Sequence, residues 1–179
     1  MKLAIDAQKS VDLPDLSFSS GHEGRAMSVR EIIEGLSPVV CAVAGALVGD
    51  KRVGEELAVE AFAESHNQIC QGDIYTARPI VLKSIVRKGE KYDALRRPLR
   101  LMMRRLRGIV HVGEVSDLNR IIRSRLLMLK FTLRATLVLR EIAELSIEAV
   151  GEIMDAKADE VRGRLLSARK ALLRDMGNG

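Results

Sequence analysis

Three stretches of this sequence hold residues whose types and spacing could do chemistry. Setting Val161 at zero on a helical wheel puts Leu165, Ala168 and Leu172 on its side as a buried stripe. Asp159, Gly163, Leu166, Ser167, Lys170 and Arg174 then face away, with Arg162 and Arg169 on one flank. Such a face offers donors for base edges early in the helix and cations for phosphate further along. The second stretch, Arg96 to Arg107, has six arginines in twelve residues, among them Arg96, Arg97, Arg100 and Arg104. Neutralising phosphates with such a cluster releases counterions, which makes it a good phosphate binder. The third is acidic: Glu55, Glu56, Glu60 and Glu64 on one side of a helical pattern, with Leu57, Ala61 and Phe62 on the other. Each has a plain alternative. Basic residues late in a helix complement its dipole, arginine stems lie over apolar neighbours, and an acidic helix face is often only solvated surface.

The elements that must position these residues read as helices. From Arg134 to Arg174 the pattern gives three short helices with two tight breaks. Leu137, Val138, Ile142 and Leu145 have helical spacing in the first. Ser146 offers a side-chain oxygen to cap the next, and Glu148 sits in its first turn, where the helix dipole favours a carboxylate. Val150, Ile153 and Met154 are its apolar set, and Asp155-Ala156-Lys157 breaks the pattern because Asp tolerates a left-handed turn. The third helix starts at about Ala158. This is the layout of a helix-turn-helix DNA reader, or of an αα-hairpin with a third helix packed on it.

Upstream, Ser28 and Glu31 spell a capping box ahead of Val29, Ile32, Ile33 and Leu36. A second helix is expected from Ser37 to Val48, with Pro38 at its first position and Gly49-Asp50 as its stop. The acidic helix begins near Val53. Gly108 to Ser116 breaks periodicity and reads as a linker, and Asp117 to Leu129 as one more helix. Residues 1–27 read as a mobile arm. The expected division is therefore 28–107 and 117–179, two small helical domains.

Composition narrows the classes. The chain has 179 residues, no Trp and five other aromatics, which argues against a β-sandwich and against base-stacking platforms. Cys41 and Cys70 read as buried, reduced thiols, and His111 has no metal-ligand companion. The longest apolar run, Pro38 to Val48, is too short to span a bilayer, so a cytoplasmic protein with no membrane contact is expected. No Gly-rich phosphate loop, metal-spaced His/Cys set or nucleophile–base pair appears. That speaks against an enzyme, a cofactor or a small-molecule substrate. The net charge of +5 hides a segregation. Residues 1–75 carry six Lys/Arg against twelve Asp/Glu, whereas residues 78–107 carry eleven against two. An acidic first third and a basic middle suggest a protein partner for one and nucleic acid for the other.

The run Glu152-Ile153-Met154 … Val161-Arg162-Gly163-Arg164-Leu165 … Ala168-Arg169-Lys170-Ala171-Leu172 resembles the C-terminal domain of bacterial RNA polymerase sigma factors, most closely the extracytoplasmic-function group. The segments Arg134 to Glu141 and Glu144 to Glu148 are similar to that family's preceding helices, over about forty consecutive residues. The resemblance implies that the last helix reads the −35 promoter element, with Arg162, Gly163, Leu166 and Ser167 near base edges and Lys170 and Arg174 on phosphate. More loosely, ALVGDKRVGEELAVEAF resembles the family's N-terminal domain, whose helix docks on the largest polymerase subunit. That marks Glu56, Leu57, Glu60 and Phe62 as core RNA polymerase contacts. Asp93-Ala94-Leu95-Arg96-Arg97 keeps the ending of the family's promoter-melting segment, but Leu82 and Gly89 stand where the family has a Trp and an Asn. Only Tyr75 and Tyr92 are present to hold flipped-out bases. The resemblance thus implies an all-α factor that binds core RNA polymerase and promoter DNA and answers to an anti-sigma factor. A second reading is a sigma-like decoy for an anti-sigma factor, or a plain helix-turn-helix regulator.

Overall fold

The computed structural model describes residues 28–71, 73–107 and 118–174, and among these it is all-α with no strand. Seven helices follow one another: α1 Val29–Val48, α2 Lys51–Ile69, α3 Ile74–Arg107, α4 Leu118–Met128, α5 Phe131–Glu141, α6 Ile147–Met154 and α7 Ala158–Arg174. The expected linker at 108–116, His111 within it, and the arm at 1–27 lie outside the described residues.

Local signals set most boundaries. The Glu31 amide donates to Ser28 Oγ at 3.2 Å and the Ser28 amide to Glu31 Oε2 at 2.7 Å, so the capping box opens α1. Gly49, at φ 77°, closes it in the left-handed region. Asp50 then starts α2 two residues earlier than the Val53 expected, because its Oδ1 accepts the Val53 N–H at 3.1 Å.

The break expected at Ser37-Pro38 does not occur. Pro38 lies inside one 20-residue helix. Its missing N–H costs the helix a hydrogen bond, but the buried stripe Ile32, Leu36, Val40, Val43, Ala44 and Leu47 runs straight through it. Packing of that stripe outweighs the proline. Because α1 is continuous, it is long and apolar enough to cross a membrane by length and composition. Here its stripe is buried in the core cluster, and α1 packs chiefly on α2 and α3.

The α1–α2 crossing depends on close backbone approach. A Cβ on Gly54 would stand 2.6 Å from the Gly45 amide nitrogen and 2.7 Å from Gly45 Cα, so only glycine fits there. α2 then runs antiparallel to α3, tied by a charged ladder. Glu60 meets Lys88 at 3.0 Å; Glu64 meets Lys88 at 2.8 Å, Arg87 at 2.9 Å and the Ser84 hydroxyl at 2.7 Å.

These contacts, the Lys88 hydrogen bond first and Ser84 second, hold the Glu64 carboxyl down at about 2, against an ordinary 4.5. A depressed carboxylate stabilises the fold above its unfolded value and loses that contribution as pH falls through the folded one. Glu64→Gln should therefore lower the thermal midpoint at neutral pH. The gap to the parent chain should close as pH drops from 4.5 towards 2. The effect is modest, because half-exposed ion pairs are screened by solvent. A gap that persists undiminished at pH 2 would show that Glu64 acts through packing instead.

The segments on either side of residues 108–117 pack on each other. Their buried side chains form one cluster, from Ile32 in α1 to Ala168 in α7. At the junction a Cβ on Gly89 would lie 3.4 Å from Phe131 Cζ and 3.5 Å from Leu47 Cδ1. Arg134, fully buried in α5, forms an ion pair with buried Asp93 of α3 and donates from Nη1 to the Leu127 carbonyl at 3.0 Å. Its guanidinium also lies 5.3 Å from the Phe131 ring centroid. Arg78 of α3 donates to the Ala143 carbonyl, and Lys83 pairs with Asp155 at 2.7 Å.

Two smaller expectations are corrected. Cys70 is exposed and Cys41 only half-buried, so neither is a core thiol. Cys70 is the C-cap of α2, where the chain leaves the bundle, and its Sγ lies 3.5 Å from His66 Nε2. Ile142 is 39% exposed because α5 ends at Glu141 and the chain turns away through Glu144, at φ 52°.

Candidate nucleic-acid interface

α5, α6 and α7 form the three-helix unit that the residues imply. Ser146 Oγ accepts the Ala149 N–H at 3.1 Å and caps α6. The Glu148 carboxyl is held below its usual value first by its own backbone N–H and then by the Ser146 hydroxyl, with Arg162 and Arg140 adding attraction. Asp155 ends α6 in the left-handed region, φ 48° and ψ 50°. The turn is tight. The Ala156 amide donates to the Gly151 carbonyl at 2.9 Å, and a Cβ on Gly151 would come within 2.6 Å of the Ala156 oxygen. Glycine at 151 is what lets the turn close against α6, a requirement that no local pattern advertises.

α7 is seated by Val161, Leu165 and Ala168, all buried, with Leu172 half-buried behind them. Arg162, Gly163, Leu166, Ser167, Lys170 and Arg174 are all exposed. From Arg162 to Arg174 this face runs about 18 Å along the helix, a length suited to a major groove. Arg162 is held by Asp159 at 2.7 Å, so contact with DNA would exchange that partner for a base or phosphate. Arg169 ties α7 to Glu141 of α5 at 2.6 Å, whereas Arg164 turns inward and pairs with Glu160.

The arginine cluster is carried by the distal part of α3. Arg96 is exposed and lies 5.6 Å from the Tyr92 ring centroid, and Arg97 is half-buried. Arg100 and Arg104 belong to the same helix, but their side chains are outside the described residues. α3 and α7 each pack on α5 and α6.

The positions expected to hold an opened strand are not at the surface. Leu82 is fully buried, and Gly89 faces Leu47 and Phe131. A tryptophan at 82 would have to enter a filled core instead of meeting a DNA base. Tyr75 is 73% exposed near the start of α3, but Tyr92 lies about 26 Å further along it and beneath Arg96. The two tyrosines form no common stacking platform.

On α2, Glu56 and Glu60 are exposed and Leu57 is half-buried. Phe62 is 9% exposed, so it packs the core and is no surface contact. The apolar residue that does emerge is Val59, 69% exposed, one residue from Glu60 and one turn from Glu55 and Glu56. Its position on the acidic side of the helical pattern was the available signal. Glu60 is already engaged with Lys88, whereas Glu55 and Glu56 pair within α2, with Lys51 at 3.8 Å and Arg52 at 3.5 Å.

A cleft of about 620 Å³ separates α2 and α3 from the helix-turn-helix unit, lined by Ser84, Arg87, Thr132, Met154, Asp155 and Arg164 among others. Three of its cations have carboxylate partners: Lys83 with Asp155, Arg87 with Glu64, Arg164 with Glu160. Among the described residues no three His, Cys, Asp or Glu side chains stand together as a metal site. No known family model matches this chain, and no match is found among the curated proteins.

Proposed function

We propose that the chain is a sigma factor of the extracytoplasmic-function type, working in the cytoplasm. It binds core RNA polymerase through the acidic face of α2 and reads the −35 element with α7. The observation that carries this reading is the α5–α6–α7 unit. Its turn is capped by left-handed Asp155, its last helix is seated by Val161, Leu165 and Ala168, and the outward residues are those the family resemblance nominates.

DNA reading has its own expected outcome. Arg162→Ala changes sequence preference and costs about 1–3 kcal/mol on the preferred site if Arg162 pairs with a guanine. Lys170→Ala weakens all sequences alike and reduces the salt slope by about one unit. Binding isotherms on specific and random duplexes at several salt concentrations separate the two. Equal losses on both DNAs for Arg162→Ala would remove it from base reading.

The second reading, a helix-turn-helix regulator or a decoy that occupies an anti-sigma factor, is favoured by one observation. Leu82 and Gly89 are inside, and Tyr75 and Tyr92 are far apart, so the positions the resemblance nominates offer no common surface for flipped bases. Unstacking costs a few kcal/mol per base. Initiation should therefore be weak on paired promoters and strong on pre-melted ones. Single-round transcription with purified core enzyme on paired and bubble templates is the test. Robust initiation on paired duplex would favour an ordinary sigma factor with melting contacts elsewhere. Silence on both templates, with DNA binding intact, would favour the regulator or decoy.

A further inference from the structure

Leu95, Leu99 and Met102 stand one and two turns apart on the distal part of α3, and they are 81%, 51% and 59% exposed. They form a continuous apolar strip, unlike Val59 and Tyr75, which emerge singly. From position 94 to 107 the helix has no Asp or Glu, while six arginines share it. The strip is therefore apolar, and the charged residues of its own stretch of helix are all cationic. Phosphate contact needs the arginines but not the leucines, so DNA leaves the strip unexplained. A second copy packed on it would bring arginine against arginine, which is unfavourable across an interface. What fits is an apolar segment carrying carboxylates.

The chain holds such a segment. Residues 11–16 read Val-Asp-Leu-Pro-Asp-Leu, with no Lys or Arg between Lys9 and Arg25. Proline at 14 favours an extended backbone there. The reach also suffices. α1 and α3 run side by side in one direction, since Gly35 lies against Ile74 and Gly89 against Leu47. Counting helix rise from Val29, Leu95 lies about 36 Å up the bundle and Met102 about 47 Å. Leu16, Leu13 and Val11 precede Ser28 by twelve, fifteen and seventeen residues. Extended, those lengths reach about 40, 50 and 56 Å.

We infer that residues 11–16 lie extended along the Leu95–Leu99–Met102 strip, with Leu16 nearest Leu95 and Val11 nearest Met102. Asp12 and Asp15 then stand among the α3 arginines. The tether makes the contact intramolecular but must run almost fully extended, so the apolar and charged contacts themselves supply the affinity. On the DNA-binding reading above, the docked segment competes with phosphate for the same arginines. The docking itself does not rest on that reading.

The test uses the full chain, free of DNA, with a photo-crosslinking residue in place of Leu13 and mass-spectrometric mapping. The expected product is an intramolecular crosslink to residues 95–102. Leu95→Ser with Leu99→Ser should lower its yield about tenfold, with helical content unchanged because both side chains are exposed. Deleting residues 19–24 shortens the reach by about 20 Å and should also abolish the crosslink, whereas six inserted Gly/Ser residues should keep it. Yields indifferent to the leucine pair or to the deletion would overturn the proposal. So would crosslinks joining two copies, which would assign the strip to a second chain. Phosphatidylglycerol vesicles that bind the full chain and a chain lacking residues 1–27 equally well would assign it to a lipid surface instead. Because the crosslink is read without DNA, loss of the DNA reading leaves this outcome standing.

Discussion

Arg134→Ala should destabilise the chain by about 3–5 kcal/mol, the typical cost of breaking a buried ion pair from one side. Arg134 is fully buried and Asp93 is 3% exposed. Taking the guanidinium away removes the Arg134 partner of the Asp93 carboxylate and the Nη1–H that the Leu127 carbonyl accepts at 3.0 Å. It also empties the space beside Phe131 at the junction of α3 and α5. Domains of this size are stable by only about 5–15 kcal/mol, so the loss is a large share of the total. Asp93→Ala should cost a similar amount for the mirrored reason.

The diagnostic variant is the double one. Asp93→Leu with Arg134→Met removes both charges and refills the volume, and such replacements of buried ion pairs are often neutral or stabilising. Urea unfolding of the parent chain, Asp93→Leu, Arg134→Met and the double variant gives the coupling energy between the two sites. Recovery in the double variant would show that the pair specifies how α3 meets α5 more than it stabilises the junction. A loss below about 1 kcal/mol for Arg134→Ala would mean that water reaches the site and the pair is no structural tie.

The second large effect concerns the acidic face. On the proposed sigma-factor reading, Glu55→Lys with Glu56→Lys should abolish co-purification with core RNA polymerase while leaving duplex binding by the helix-turn-helix unit unchanged. Like charges brought together across an interface cost several kcal/mol, which corresponds to a loss of more than about a hundredfold in affinity. These two positions are the better choice because their present partners, Lys51 and Arg52, lie one turn away on the same helix. Reversing Glu60 would also break its bridge to Lys88, and a folding defect would then imitate an interface defect. Val59→Ser is the companion variant: a partner that packs on the exposed valine should bind less tightly, with no change in stability. If the charge-reversed chain still co-purifies at moderate salt, the face is solvated surface and the polymerase contact lies elsewhere.

What the sequence determined by itself is everything whose partners lie three or four residues away. Ser28, Asp50 and Ser146 cap helices through hydrogen bonds at that range, and Asp155 supplies the left-handed turn its residue type tolerates. The outward set on α7 follows in the same way from the spacing of Val161, Leu165 and Ala168. Tertiary structure decided the rest, because there the competing terms come from distant parts of the chain. Pro38 sits inside α1, since burial along the whole stripe outweighs one lost hydrogen bond. Phe62 lies on the apolar side of the α2 pattern, but only the packing of α2 against both α1 and α3 decides that it is enclosed there and not left for a partner. Leu82 and Gly89, which occupy strand-holding positions by family resemblance, are consumed by packing on α1 and α5. Asp93 and Arg134 look like ordinary surface charges in the sequence. Only the approach of two helices, bringing together residues 41 apart in the chain, makes them a buried pair.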